Sequence, residues 1–384
     1  MTRVLAFCDY FEKPMGGGAE IVSAEVYQRL AATGDFTVEV VSGVPGKQRS
    51  SSDNDFGPDI NVVRCRGWDL SSLLGVQLSI APTLAIRAWQ RIRHQRPDAI
   101  HASSIHFFGS LVAAVLGAVC RIPLVTTCHL SGLEALPRRS RWPAWLHERI
   151  VGAFILRRSH RIIAVSESVG RHIRSLGVNP AKVCVVENGV DTQRYKPGVA
   201  DPRYVTITYV GRLIANKGPL EVIDAFRDLS GSHLRLQIIG DGPLRSHVKK
   251  AAASDSRITV LGYRRDVSQL LAASDIFVRL STTEGRSLAA LEAMAAGCVV
   301  VLSDIPANAE LVEDQRTGIL VEVGNRVALQ QVLGPLVMQH RRRQDLAVAA
   351  RIEAEMSSWE TTSKLTGEIL QESAGHRSVL LETR

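Results

Sequence analysis

Residues 205–218 read Val-Thr-Ile-Thr-Tyr-Val-Gly-Arg-Leu-Ile-Ala-Asn-Lys-Gly, an apolar strand that runs directly into a glycine turn. The run Val205–Val210 has the length and the β-branched content of a buried strand. Arg212 and Lys217 follow it, five residues apart, where a helix is expected to begin. Because the carboxyl ends of parallel strands line the ligand crevices of α/β sheets, this unit predicts a ligand-binding edge.

The same order of strand and flexible turn recurs elsewhere. Gly240-Asp241-Gly242-Pro243 follows the predicted strand Leu234–Ile239, and Asn188-Gly189-Val190-Asp191 follows Val183–Val186. Strands and helices alternate from start to finish, which favours α/β layers with parallel sheets.

The length of 384 residues exceeds the size at which one core usually suffices, so two domains are predicted. Segment 195–202 is polar, contains two prolines and precedes a fresh strand, so the linker is placed there. First-domain strands are predicted at Val4–Cys8, Thr37–Val41, Asn61–Cys65, Ala99–Ala102, Leu124–Thr127, Arg161–Val165 and Val183–Val186. Those of the second are Val205–Val210, Leu234–Ile239, Ile258–Leu261, Ile276–Val278, Val299–Leu302 and Ile319–Val321.

Two carboxylates flank a predicted helix start in the stretch Glu284-Gly-Arg-Ser-Leu-Ala-Ala-Leu-Glu292. Ser287 is the expected N-cap and Gly297 the stop, so both carboxylates can face one cleft. The amides near Leu288 and Ala289 form an electropositive pocket suited to a phosphate, and carboxylates can accept hydrogen bonds from sugar hydroxyls. An isolated pair of this kind also arises by chance in many helices.

The order of the motifs resembles the family-4 (group 1) glycosyltransferases, which are retaining, metal-independent nucleotide-sugar enzymes of the GT-B fold. The resemblance covers almost the whole chain. Its motifs are Gly16-Gly17-Gly18-Ala19-Glu20, Thr127-Cys128-His129, Ile163-Ala-Val-Ser166, Asn188-Gly-Val-Asp191, Gly211-Arg212 with Lys217, Gly240-Asp-Gly-Pro243, and Glu284 with Glu292.

The resemblance implies an α/β protein with two Rossmann-like domains whose parallel sheets face each other across a cleft. Residues 1–197 would form the acceptor-side domain, completed by a C-terminal helix at about 357–373. Residues 203–356 would form the nucleotide-sugar-binding domain. The final residues, from Ser373 onward, lack a clear pattern and are expected to fray.

The chemistry requires that growing negative charge on a leaving nucleoside diphosphate be neutralised in a partly dry cleft. Arg212 and Lys217 match family positions that bind the diphosphate, so the resemblance implies that neither a metal nor a cofactor is required. It also implies that Glu284 hydrogen-bonds the donor sugar and that Glu292 holds the ribose. Other donor-binding residues are predicted at Gly17, Gly18, Arg264, Gly285, Arg286, Ser287 and Leu288.

His129 matches the family histidine that faces the donor sugar, and a satisfied core histidine is the alternative. Gly17 and Gly18 match the loop that approaches the diphosphate and the acceptor, and a plain strand-to-helix turn is the alternative. The nucleotide base is placed near Gly262-Tyr263-Arg264. The predicted catalytic residues are His129, Arg212, Lys217 and Glu284.

Arg286 departs from the family pattern, because many relatives have Glu-Gly-Phe-Gly where this chain has Glu284-Gly285-Arg286-Ser287. Its side chain could favour an anionic sugar, meet the acceptor or point to solvent. Solvent is the default expectation, since arginine is mostly exposed.

No metal site is predicted. Asp53-Asn54-Asp55 has an Asp-x-Asp form but follows no convincing strand, so turn chemistry is the preferred interpretation. His101 and His106 lack a nearby carboxylate or cysteine that would complete a ligand set. The six cysteines show no CxxC pair and are interpreted as reduced core residues.

The net charge of +8 is concentrated between residues 138 and 161, where arginines alternate with Trp142 and Trp145. This pattern suits an anionic membrane surface, and a core helix with solvated arginines is the alternative. Nucleic acid is disfavoured by an aromatic content of 5% and by the lack of zinc-finger or RNP-like spacing. No apolar run reaches the ~18 residues of a membrane span and no leader pattern is evident, so a cytoplasmic location is expected, with contact at the inner face of the membrane.

These observations predict a retaining, metal-independent glycosyltransferase that moves a hexose from a UDP- or GDP-sugar to a lipid-linked or glycan acceptor. A GT-B nucleotide-sugar hydrolase or epimerase and a non-catalytic GT-B binding protein are the alternatives. A nicotinamide-dependent dehydrogenase is disfavoured, because Gly16-Gly17-Gly18 lacks the Gly-x-Gly-x-x-Gly spacing.

Overall fold

The computed structural model describes residues 1–11, 17–45, 56, 60–69, 79–130 and 138–382. The chain divides into two compact units, one formed by Met1–Glu187 with Trp359–Arg384 and the other by Asn188–Ser358. It therefore passes between the units twice, after Glu187 and after Ser358.

The predicted linker at 195–202 belongs to the second unit. Tyr195 is buried there, and its carbonyl accepts a hydrogen bond from Arg351 Nη1 at 2.7 Å. Gly198 N donates to the carbonyl of Ala272 at 3.2 Å. The first unit consequently ends at Glu187, earlier than the residue 197 expected from composition, because the proline-rich segment packs on the second unit.

Among its described residues, the first unit has an eight-stranded sheet in the order β4-β3-β2-β1-β5-β6-β7-β8, in which only β4 is antiparallel. Its strands are β1 (Thr2–Phe7), β2 (Phe36–Pro45), β3 (Ile60–Asp69), β4 (Ser79–Ile80), β5 (Ala99–Ser103), β6 (Leu124–Cys128), β7 (Arg161–Ala164) and β8 (Val183–Val185). Its helices are α1 (Gly18–Ala32), α2 (Pro82–His94), α3 (Phe108–Cys120), α4 (Arg138–His147), a π-helical segment (Glu148–Gly152), α5 (Ala153–Arg158), α6 (Glu167–Ser175) and a 3₁₀ turn (Pro180–Lys182).

The second unit is a six-stranded parallel sheet in the order β11-β10-β9-β12-β13-β14. Its strands are β9 (Val205–Val210), β10 (Leu234–Ile239), β11 (Ile258–Gly262), β12 (Ile276–Arg279), β13 (Val299–Ser303) and β14 (Ile319–Val321). Its helices are a 3₁₀ turn (Ala215–Lys217), α7 (Pro219–Arg227), α8 (Arg245–Ala252), α9 (Val267–Ala272), α10 (Leu288–Ala295), α11 (Pro306–Ala309), α12 (Arg326–Met338) and α13 (His340–Glu355).

The last helix, α14 (Trp359–Glu382), completes the first unit. Trp359 and Leu370 are buried, and Arg29 Nε on α1 lies 3.1 Å from Glu360 Oε1. The expectation that the chain frays from Ser373 is wrong, since the helix continues to Glu382 and Ser373 itself is buried.

Each unit has its own apolar core. Leu84, Ile100 and Leu124 lie in the core of the first unit, whereas the second packs helices on both faces of its sheet, around Phe226 on one side and Phe277 on the other. These parallel, helix-covered sheets confirm the predicted α/β class, and every strand predicted from the apolar runs is present. Within the described part of the chain, no helix is long and apolar enough to cross a membrane.

Candidate active site

The carboxyl ends of β9 and β10 approach each other closely. Gly211 N donates to the carbonyl of Ile239 at 3.0 Å, and Leu213 N donates to that of Asp241 at 2.9 Å. Gly240 has a φ of +137°, and a Cβ there would lie 1.9 Å from the carbonyl oxygen of Gly211. Only glycine fits, because both the backbone conformation and the space exclude a side chain.

Lys217 ends the 3₁₀ turn after β9, and its side chain is largely buried. Its Nζ lies 2.8 Å from Glu284 Oε1 and donates to the carbonyl of Thr283 at 3.2 Å. The motifs predict that Lys217 binds the diphosphate and that Glu284 binds the donor sugar. In the structure these two residues contact each other directly.

Arg279, the last residue of β12, is a second cation of this cluster and was not predicted. Its Nη2 lies 2.9 Å from Glu284 Oε1, while its Nε donates to Ser281 Oγ at 3.2 Å. A signal was present in the sequence, because an arginine at the carboxyl end of an apolar strand is unusual for a core position.

Glu284 is held by three donors on one oxygen. Ser281 Oγ donates to Oε1 at 2.6 Å, in addition to the contacts from Lys217 and Arg279. Only 8% of Glu284 is exposed and Ser281 is fully buried, so the carboxylate has a fixed orientation. We refer to Lys217, Arg279, Ser281 and Glu284 as the basic cluster.

The electrostatics of the basic cluster follow from burial and charge. Burial alone would raise the pKa of Glu284, but the charges of Arg279 and Lys217, with hydrogen bonds from Lys217 and Ser281, lower it to about 2. Burial lowers the pKa of Lys217 to about 8, against the opposing effect of Glu284. At neutral pH, two buried cations thus share one carboxylate, and these groups together carry one net positive charge.

Helix α10 begins beside this cluster. Ser287 Oγ accepts from Ala290 N at 3.3 Å, and its carbonyl accepts from Leu291 N at 3.1 Å, which confirms Ser287 as the N-cap. Helix geometry leaves the amides of Leu288 and Ala289 without an intrahelical acceptor. Such amides, with the helix dipole, favour an anion.

The other end of α10 is closed by two reverse hydrogen bonds, from Gly297 N to the carbonyl of Met294 at 3.0 Å and from Cys298 N to that of Ala293 at 2.9 Å. These are the bonds of a Schellman motif, so the predicted stop at Gly297 is correct. Glu292 lies between the two ends, in the second helical turn, and is partly buried.

Arg286 differs from its default expectation. Its side chain is not in solvent, because the residue is only 9% exposed and its Nη2 donates to Ser357 Oγ at 3.0 Å. Its carbonyl accepts from Asn188 Nδ2 at 3.3 Å. The general preference of arginine for the surface is outweighed here by hydrogen bonds that only the folded second unit supplies.

Arg212 and Arg264 are both exposed, unlike the basic cluster. Arg264 follows β11 and its Nε donates to Asp266 Oδ1 at 2.7 Å. The carbonyl of Arg212 accepts from Tyr209 OH at 3.0 Å, which fixes the turn after β9. Both arginines thus lie on turns that follow strands of the second unit.

In the first unit, His129 follows β6 and is partly buried. Its Nε2 lies 3.4 Å from Ser103 Oγ, which accepts from Ser23 Oγ at 3.1 Å. Burial lowers the pKa of His129 to about 4, so the imidazole is neutral at pH 7. His101 is a core histidine between Tyr27 OH at 2.7 Å and Thr127 Oγ1 at 2.8 Å.

Gly17 is the N-cap of α1 and has an extended backbone, with a φ of −156°. A Cβ there would lie 2.7 Å from Glu20 Oε2, so glycine makes room for a buried carboxylate at the helix start. Glu20 stands at the position from which a capping box reaches back. Gly18 is the first residue of α1.

Asp9, directly after β1, is a buried carboxyl group that the motifs did not indicate. Its Oδ2 accepts from Gly109 N at 3.4 Å in the first turn of α3. Burial raises the pKa of Asp9 to about 7, although hydrogen bonds from Gly109, Gly43 and Phe108 oppose the rise. The group therefore serves at least as a cap for α3.

The basic, tryptophan-containing stretch divides into two parts. Ile155 and Leu156 on α5 are fully buried, as expected for a core helix. In contrast, Trp142 and Trp145 on α4 are 67% and 45% exposed, and the Arg149 guanidinium lies 5.3 Å from the Trp145 ring centroid.

Several expected positions lie outside the described residues. These are Gly16 and Asp53-Asn54-Asp55. Among the residues that are described, no group of three or more His, Cys, Asp or Glu side chains could hold a metal ion. The six cysteines have free thiols, and four of them are buried.

The chain has two units, each with a parallel, helix-covered sheet. One unit carries cations and a capped helix start at the carboxyl ends of its strands. These features define the class of two-domain GT-B proteins. Sequence profiles give the family. One described as Glycosyltransferase Family 4 matches residues 16–194, and one described as Glycosyl transferases group 1 matches residues 204–338. The chain belongs to the glycosyltransferases of this family and is an enzyme.

Three named relatives illustrate the similarity. An Escherichia coli UDP-Gal:alpha-D-GlcNAc-diphosphoundecaprenol alpha-1,3-galactosyltransferase is 28% identical over 303 residues, 70% of this chain and 77% of that protein. A Xanthomonas campestris GDP-mannose:cellobiosyl-diphosphopolyprenol alpha-mannosyltransferase is 27% identical over 91% of this chain and 93% of its own length. A Mycobacterium tuberculosis glycogen synthase is 30% identical over 72% of this chain and 69% of its own length.

Solved structures share the fold at low sequence identity. HepE of Anabaena, crystallised with UDP and glucose, has a TM-score of 0.77 and 20% identity over 97% of this chain and 100% of that one. A sucrose-phosphate synthase from Thermosynechococcus elongatus has a TM-score of 0.81 and 17% identity over 97% and 99%. These likenesses confirm the predicted GT-B fold.

Proposed function

We propose that this enzyme transfers a hexose from a UDP- or GDP-sugar to a lipid-linked or glycan acceptor, with retention of configuration and without a divalent metal ion. The observation that carries the proposal is the basic cluster, in which Lys217 and Arg279 share the carboxylate of Glu284. Its excess positive charge is buried, where it interacts strongly with a diphosphate.

The diphosphate would be bound by protein cations and amides. Lys217 has three N–H donors, and within the described residues two of them contact Glu284 and Thr283. The third can reach a phosphate oxygen, while Arg212 adds an exposed guanidinium and α10 adds the amides of its first turn. These groups supply the charge neutralisation that a metal ion supplies in other enzymes.

In the proposed reaction, the acceptor hydroxyl attacks the anomeric carbon on the face from which the diphosphate departs. The bond between carbon and phosphate oxygen breaks, the new glycosidic bond forms, and an oxygen of the departing diphosphate takes the hydroxyl proton. Fixed cations favour this path, because they stabilise the departing charge without reorganisation.

The remaining assignments stay predictions. Glu284 would hydrogen-bond hydroxyls of the donor sugar, Glu292 would bind the ribose and neutral His129 would contact the sugar. Gly17, Gly18, Gly285, Ser287 and Leu288 would line the donor site, and Arg264 would lie near the base.

The proposed donor and acceptor classes are supported by the relatives. The names of two relatives state a UDP- or GDP-linked donor and a diphospholipid acceptor. The exposed Trp142 and Trp145 with Arg149 suit a peripheral contact with anionic lipid at the inner face of the membrane, where such acceptors would be met.

The donor is tested by thermal shift with UDP-, GDP-, ADP- and dTDP-sugars, in EDTA and in Mg²⁺, since a ligand that binds the folded state raises the melting temperature. A shift with a UDP- or GDP-sugar in EDTA supports the proposal. A shift only in Mg²⁺ contradicts metal independence, and no shift contradicts the donor class.

The reaction is tested with the identified donor and polyprenyl-diphosphate-linked sugars. NMR of the product should show the donor's anomeric configuration. Free sugar formed at the same rate without an acceptor would instead indicate a hydrolase.

The membrane contact is tested by sedimentation with vesicles of anionic or zwitterionic lipid. Replacing both Trp142 and Trp145 by alanine should weaken binding to anionic vesicles. Trp68, which is 69% exposed on β3, is the matched control, and its alanine variant should bind like wild type. An equal loss of vesicle binding in the Trp142 and Trp145 double variant and in Trp68→Ala would contradict a specific docking surface.

A further inference from the structure

The segment Glu284–Ser287, which we call the donor loop, forms hydrogen bonds with both segments in which the chain passes from one unit to the other. The carbonyl of Arg286 accepts from Asn188, the first residue of the second unit. The Arg286 guanidinium donates to Ser357, one residue before the last of that unit. One residue of the loop therefore contacts both crossover segments, which we define as residues 187–190 and 357–359.

The two crossover segments are also bonded to each other. Val190 N donates to the carbonyl of Ser357 at 2.9 Å, and Val190 forms a parallel bridge with Ser358. Asn188 is 3% exposed, so its hydrogen bond to the donor loop is shielded from water. The donor loop and the crossover segments form one connected set of hydrogen bonds, of which the bond from Asn188 is buried and the bond from Arg286 to Ser357 is partly buried.

The side chain at position 286 gives this connection a particular character. A buried guanidinium needs hydrogen-bond acceptors, since burying an unsatisfied charge is costly. Its partner Ser357 lies just beyond the end of α13, where the helix dipole favours a cation. An apolar side chain at this position would have no hydrogen-bond donor and could not make the bond.

We propose that Arg286 is a positioning residue that couples the donor loop to the crossover segments, so that a nucleoside diphosphate at the loop orders both crossovers. The inference rests on the proposed function, because it requires the diphosphate to bind beside Glu284. A shift of the loop backbone on binding moves the Arg286 carbonyl and guanidinium together, and both bonds transmit that shift.

Hydrogen exchange measured by mass spectrometry tests the coupling, with UDP and GDP added separately as probes. In the wild type, nucleotide should slow exchange of the Val190 amide and of its neighbours in both crossovers by about tenfold or more. In Arg286→Met, nucleotide should still raise the melting temperature, but the slowing in the crossovers should be lost. The kcat should fall while the KM for the donor changes little.

Arg351→Met is the matched control. Arg351 Nη1 also donates from a partly buried arginine to carbonyls of Tyr195 and Ala295, but it lies at the far end of α10. This variant should lose stability and keep the nucleotide-dependent slowing. Ser357→Ala, which removes the acceptor and retains Arg286, should reproduce the loss if Arg286→Met fails to fold.

The outcomes separate the two proposals. No melting shift of the wild type with either nucleotide refutes the proposed function and, with it, the coupling. A normal shift with unchanged slowing in Arg286→Met or Ser357→Ala refutes the coupling alone. Equal loss of slowing in Arg351→Met also refutes it, because the effect would then be general loosening of the second unit.

Discussion

Replacing Glu284 by glutamine removes the negative charge that Lys217 and Arg279 share, while side-chain size is kept. Two buried cations would then face each other without their carboxylate. The fall in the pKa of Glu284 from 4.5 to about 2 corresponds to roughly 3 kcal/mol of stabilisation. Breaking a buried ion pair from one side typically costs about 3–5 kcal/mol. We therefore expect the free energy of unfolding to fall by about 3–5 kcal/mol.

The structure offers two probes for this measurement. The five tryptophans, at positions 68, 89, 142, 145 and 359, all lie in the first unit, so their fluorescence follows that unit during urea unfolding. Far-ultraviolet circular dichroism follows helices of both units. If the units unfold separately, Glu284→Gln should shift only the part of the dichroism transition that fluorescence does not show.

Nucleotide should partly restore the variant. UDP or GDP without sugar supplies anionic oxygens to the unpaired cations, so the melting shift should be larger in Glu284→Gln than in wild type. The control is Glu313→Gln, because the exposed pair of Glu313 with Arg316 contributes less than about 1 kcal/mol. A loss below about 1 kcal/mol in Glu284→Gln, with an unchanged nucleotide shift, would refute the electrostatic account.

Three further predictions follow from the second unit. Lys217 has a pKa of about 8, and a diphosphate favours its protonated form, so nucleotide affinity measured by calorimetry should fall as the pH rises through about 8. Lys217→Arg should abolish that fall. A fall that persists in Lys217→Arg would mean that a different titrating group causes it. Ser287→Ala should lower the free energy of unfolding by about 1 kcal/mol, because the N-cap of α10 is lost. Ser287→Asp should keep the cap but weaken nucleotide binding, because its carboxylate repels a phosphate at this helix start. Equal nucleotide affinity in the two variants would argue against a phosphate there. Gly240→Ala should lower the free energy of unfolding in a urea titration by about 1–3 kcal/mol or more, because its Cβ meets the backbone of Gly211. Gly334→Ala on α12 is the control, since its Cβ would enter open space and the change should be neutral or stabilising. Similar changes in unfolding free energy for the two variants would contradict the close approach of the strands.

Much of the fold is readable from local patterns. The strand Val205–Val210 and the helix start at Ser287 were predicted correctly, because apolar runs and N-caps are properties of neighbouring residues. The boundary near residue 197 was misplaced, since only tertiary packing of Tyr195 and its neighbours assigns that segment to the second unit.

The candidate site was readable only in part. Glu284 and Lys217 were both predicted as site residues, but their mutual contact depends on loops whose contacting residues are 67 positions apart in sequence. Arg279 was missed because its signal, a charged residue at the end of an apolar strand, belongs to no motif, and its contact with Glu284 depends on the fold of the loop that follows. The burial of Arg286 was missed for the same reason, since Ser357 lies far along the chain.

Calorimetric titration of UDP and of GDP in EDTA measures whether the basic cluster binds a diphosphate without a metal ion, with wild type compared with Arg279→Met. We expect one of the two nucleotides to bind the wild type in EDTA and its affinity to be at least about tenfold weaker in the variant, since a buried charge that neutralises the diphosphate is lost. Binding that requires Mg²⁺, or equal affinity in Arg279→Met, would contradict this expectation.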